Sequence, residues 1–81
     1  MQLTEEEKKR WGELSKKIER FDFLCPSEIR ECKSLINKMD IPEGYKAIAI
    51  FGLNARLVFM NEATEEEKES FGEGLRRLEN D

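Results

Sequence analysis

The stretch Tyr45-Lys46-Ala47-Ile48-Ala49-Ile50-Phe51-Gly52-Leu53-Asn54-Ala55-Arg56-Leu57-Val58-Phe59-Met60 decides how this 81-residue chain folds. Twelve of its sixteen residues are apolar, and its only charges are Lys46 and Arg56. On either side the sequence is charged and helically periodic, so this segment supplies what the flanks must cover. Residues 45–51 are rich in β-branched and aromatic side chains, which suit a pleated, partly buried surface. Alternation sets Ile48 and Ile50 against Ala47, Ala49 and Phe51. Residues 56–60 alternate likewise, and between the two runs stand Gly52 and Asn54, residues that favour the positive φ of tight turns.

This reading predicts an antiparallel β-hairpin with strands near 45–51 and 56–61. A single buried helix over 45–60 is the competing reading, supported by the Ala, Leu and Met content. The central Gly52 and Asn54 and the Ile-Ala-Ile-Phe run weigh against it. A membrane span is excluded for this stretch, which is shorter than the ~20 apolar residues required and carries two charges.

Outward from the hairpin, helices are expected at about 5–20, 26–39 and 65–79. The first opens with the capping box Thr4-Glu5-Glu6-Glu7, and the last with Thr64-Glu65-Glu66-Glu67. Trp11, Leu14, Ile18 and Phe21 make an apolar stripe on the first helix. Phe23 and Leu24 are expected to plug the core after it. Pro26 and Glu28 open the second helix, which carries Ile29, Cys32, Leu35, Ile36 and Met39 inward. Pro42 and Gly44 suit a type I turn leading into the hairpin. Phe71, Leu75 and Leu78 form the thinner stripe of a last helix expected to fray toward Asp81. The predicted fold is therefore a single α+β domain over 1–81, in the order α-α-β-β-α. Residues 4–19 and 64–79 align without gaps at an offset of sixty, with eight identities in sixteen.

Net charge is −4, and residues 62–81 alone carry −5. No stretch clusters Lys and Arg as a phosphate-binding surface requires, so direct nucleic-acid binding is disfavoured. The chain has no histidine, which removes the usual base near neutral pH and the commonest metal ligand. Two cysteines seven residues apart lack a zinc-site spacing, and no phosphate loop or serine elbow occurs. Cys25, placed at a helix start, is the one side chain with nucleophilic promise, but it has no recognisable base beside it. No enzyme, metal or cofactor is expected. The cysteines and the absence of a secretory signal point to a reducing, cytoplasmic setting.

Function is expected to lie in surface contact, with another protein or with a second copy pairing its hairpin edge. The candidate anchors are Tyr45, Phe51, Leu53, Arg56 and Phe59, because aromatics and Arg dominate interface energetics. The alternative is an acidic inhibitor of phage type, a nucleic-acid-mimicking decoy that offers Glu65, Glu66, Glu69 and Glu73 to a basic site.

Overall fold

The computed structural model describes residues 3–80. It contains four helices: α1 (Glu5–Glu19), α2 (Pro26–Lys38), α3 (Glu43–Phe59) and α4 (Glu65–Asn80). Among the described residues there is no strand. The expected α+β class and its hairpin are thus overturned, and the domain is all-α. Asp81, toward which fraying was expected, lies outside the described residues.

The decisive segment is a continuous helix, and three features of its residues explain why. Ala47, Ala49, Leu53, Ala55, Arg56, Leu57 and Met60 are strong helix formers, against only three β-branched residues in the stretch. Read at helical spacing, Ile50, Leu53, Leu57 and Met60 fall on one side, where Leu53 and Leu57 are buried and the other two pack against the core. A hairpin would have left two apolar faces to cover, whereas a helix satisfies its own backbone and buries one. Gly52 simply sits in the exposed helix surface with nothing near its α-carbon. Asn54 is buried inside the packing. Pro42, expected inside a turn, is the N-cap of α3, its carbonyl accepting from the amides of Tyr45 and Lys46.

The real chain reversal comes at Asn61, with φ 60°. There the Asn61 amide donates to the Val58 carbonyl and the Glu62 amide to the Leu57 carbonyl, a Schellman closure of α3. The end of α1 is built the same way. Phe21 has φ 58°, its amide donates to the Ile18 carbonyl, and the Asp22 amide donates to the Lys17 carbonyl. At the other ends of α1 and α4 both capping boxes are formed, with Thr4 and Glu7, and Thr64 and Glu67, exchanging hydrogen bonds.

Each helix packs on its neighbour in sequence: α1 on α2, α2 on α3, and α3 on α4. The core consists of Leu14, Leu24, Ile29, Cys32, Leu35, Ile36, Leu53 and Leu57. Helix α2 contributes half of it, and α4 contributes no buried residue. Leu24 plugs the core as expected, but Phe21 and Phe23 do not and stand in solvent.

Three substitutions test this account by chemical denaturation. Gly12 has nothing within 4 Å of an added methyl, so Gly12→Ala should stabilise by roughly 0.5–1 kcal/mol. At Gly74 the methyl would fall 2.7 Å from Phe51 Cε1, and that ring is already stacked on Phe71. Gly74→Ala should therefore destabilise despite its better helix propensity. Phe21 is 89% exposed and holds a left-handed conformation that costs an L-residue about 1–2 kcal/mol. Phe21→Gly should thus gain stability without losing burial.

Candidate interaction surface

Helix α3 is apolar on more than its buried side. Tyr45, Ile48, Gly52, Ala55 and Phe59 recur at spacings of three and four, so they share one face. That face is turned to solvent: Tyr45 is 68% exposed, Ile48 71% and Phe59 81%. Between these large side chains lie the exposed Gly52 and the half-buried Ala55. No charged residue belongs to the set.

A crevice runs along each flank of this ridge. On one side, α1 and α3 do not meet backbone to backbone, and a groove of about 390 Å³ separates them. Its walls are Trp11 and Ile18 from α1 and Ile48, Ala49 and Leu53 from α3, with Ile36 of α2 also lining it. Arg56 and Glu19 line the same groove and form no ion pair with each other. On the other flank, a crevice of about 340 Å³ lies between α3 and α4, lined by Ile48, Phe51, Gly74 and Leu78 among others. Ile48 borders both.

The five anchors expected from sequence are divided by the helix. Tyr45 and Phe59 stand on the outer ridge, and Arg56 lines the α1–α3 groove. Leu53 is buried in the core. Phe51 is half-buried, stacked on Phe71 with ring centres 5.0 Å apart, while Phe59 meets the same ring edge-on at 6.1 Å. Ile48 and Trp11 were not singled out as contact residues. Reading 45–59 at a spacing of three and four, instead of two, would have found Ile48. With no strand present, a dimer made by pairing hairpin edges has no structural basis.

The alternative acidic set, Glu65, Glu66, Glu69 and Glu73, is wholly exposed, and its spacing puts all four on one side of α4. The fifth acid of that helix's first half, Glu67, points the other way and holds the helix in place. Its carboxylate accepts from Arg30 Nε at 3.1 Å and Nη2 at 3.0 Å, and from Lys33 Nζ at 3.0 Å. It also accepts from the Thr64 amide at 2.8 Å. Lys33 donates in turn to Asn54 Oδ1 at 2.7 Å, and Asn54 Nδ2 donates to Ser70 Oγ at 3.4 Å. One network therefore ties α2, α3 and α4 together.

Hydrogen bonding from Arg30, assisted by the Thr64 amide and Lys33, holds the Glu67 carboxyl far below the usual carboxylate range. On α1 the matching Glu7 accepts from Lys38 Nζ at 2.5 Å and is lowered by that bond and by the Thr4 amide. Glu28 is pulled down to about 2, first by Lys17 and then by the Cys25 amide.

Cys25 occupies the N-cap of α2, half-buried, with its Sγ 3.1 Å from Ser27 Oγ. Cys32 is buried, and burial pushes its thiol upward. Both thiols are free. Among the described residues no group of three or more His, Cys, Asp or Glu is placed to hold a metal ion. No helix there is long and apolar enough to cross a membrane. Compared with protein-family models, curated proteins and solved structures, the chain finds no match.

Two measurements test the network. In Glu67→Gln, amide exchange in α4 should quicken by the equivalent of about 1–2 kcal/mol, a charged hydrogen bond being worth that much. Exchange in α2 should change little. For pH, Glu28 titrates lower in the fold than in the open chain, so its contribution is whole above about pH 4.5 and is lost as pH falls toward 2. The melting temperature should therefore hold from pH 7 to 5 and fall below that, with a shallower fall in Glu28→Gln.

Proposed function

We propose that the chain is a small protein-binding module of the cytoplasm, acting by surface contact through the outer face of α3 and catalysing no reaction. The observation that carries this reading is the uncharged ridge of Tyr45, Ile48 and Phe59, held in solvent on a helix whose opposite side is locked in the core. Exposed large apolar residues scattered singly are ordinary, but three aligned on one rigid face mark a contact surface. The basic side chains offer little to nucleic acid, since Arg10, Lys17, Arg30, Lys33 and Lys38 are engaged with the protein's own carboxylates. The free thiols suit a reducing compartment.

A second reading, the acidic decoy, draws on the four exposed glutamates along one side of α4. It requires a basic partner and no use of the α3 ridge.

A photo-activated cross-linking residue placed at position 48 should yield protein adducts in cells of the native source, and one at the exposed Lys9 should yield far fewer. Equal labelling from both positions, or none from 48, would overturn the α3 reading. Adducts that survive Ile48→Glu but vanish on Glu65→Lys with Glu69→Lys would move the contact to α4.

A further inference from the structure

We infer that the occupant of the outer α3 face is the same face of a second copy, the two α3 helices packing antiparallel across a twofold axis at Gly52. This inference rests on the reading of that face as an interface, and names its partner.

The first argument is spacing. Tyr45, Ile48, Gly52, Ala55 and Phe59 follow one another at intervals of three, four, three and four, the repeat by which one helix packs along another. The inner stripe Lys46, Ile50, Leu53, Leu57 and Met60 has the same rhythm and is satisfied within the chain. The outer stripe is the same device with no partner among the described residues.

The second argument is that the outer stripe is complementary to its own reverse. An antiparallel twofold at Gly52 sets Tyr45 beside Phe59 and Ile48 beside Ala55. Aromatic meets aromatic, and large meets small. At the crossing, glycine meets glycine with open space around each, so the axes can approach at the near end of the usual 8–10 Å. The two helix dipoles also oppose each other.

The third argument is electrostatic. Each chain carries −4, which discourages self-association in general. Yet the excess acid lies in residues 62–81, on the α4 flank, while the ridge carries no charge. Two copies can meet there without bringing like charges face to face. In area, α3 is 17 residues, so roughly 25 Å long, and a strip about 20 Å wide including the flanking crevices offers about 500 Å² per copy. The total of about 1,000 Å² stands at the threshold for a specific, reversible dimer.

The test is sedimentation equilibrium on the intact chain in a Cys25→Ser background, from low to high micromolar concentration. The wild-type sequence at position 48 should give a species of twice the 9.5 kDa protomer mass as concentration rises. Ile48→Glu should weaken that association by roughly 100-fold or more, because it buries an unpaired charge at the seam. Ile48 is exposed in the protomer, so circular dichroism and the denaturation midpoint at low concentration should not change. Orientation is read from disulfide trapping. Tyr45→Cys mixed with Phe59→Cys should cross-link to each other faster than either does to itself.

A chain that stays monomeric at high micromolar concentration, or an Ile48→Glu variant that associates as well as the parent, would overturn the inference. Equal trapping of 45 with 45 would overturn the antiparallel arrangement. If the purified chain is monomeric while a cross-linker at 48 still captures other proteins in cells, the second copy fails and the interface stands. If neither kind of adduct forms, both fail.

Discussion

A buried amide in the most apolar helix of the molecule governs how the four helices are assembled. Asn54 is 2% exposed, and an amide withdrawn from water without partners costs several kcal/mol. Its oxygen is met by Lys33 from α2 and its nitrogen by Ser70 from α4. Rotation or sliding of α3 against α2 would leave both the amide and the ammonium unsatisfied. Apolar side chains such as Leu53 and Leu57 tolerate small shifts in register, whereas this link does not. The same link decides which side of α3 faces inward, and hence that Tyr45, Ile48 and Phe59 face outward.

The helix most dependent on this polar cluster is α4. It buries no residue of its own. Its hold on the body consists of Glu67 between Arg30 and Lys33, of Ser70 on Asn54, and of Phe71 against Phe51 and Phe59. Helix α1 is attached by a comparable device, since Glu7 of its capping box reaches Lys38 at the far end of α2. The recurrence of Thr-Glu-Glu-Glu at an offset of sixty thus has a physical content. In each case the third glutamate closes the helix start and ties it to α2.

Those helix starts were legible in the sequence because a capping box is a local signal, complete within four residues. So was the inward stripe of Ile29, Cys32, Leu35 and Ile36 on α2. The fold class was not legible, and the error came from two residues. Gly52 and Asn54 carry the composition of a turn, but Gly52 is tolerated on an open helix face and Asn54 is retained by partners twenty-one and sixteen residues away. Nothing local to residues 50–56 announces either fact. The true reversal, Asn61, lay at the boundary of the presumed second strand. Of the candidate site, Tyr45 and Phe59 were found for their chemistry, and Ile48 was missed because a spacing of two put it on an inner face. Leu53 was chosen as a loop-tip residue and became core once the loop became helix.

Nuclear magnetic resonance of the segment from Ala49 to Val58 tests this account most directly. A continuous α3 gives strong sequential amide–amide contacts through Gly52 and Asn54, helical α-carbon shifts throughout, and an Asn54 side-chain amide protected from exchange. Cross-strand contacts between residues near 48 and 58, with Gly52 or Asn54 in a left-handed turn, would contradict the fold and the outward face proposed as its interface.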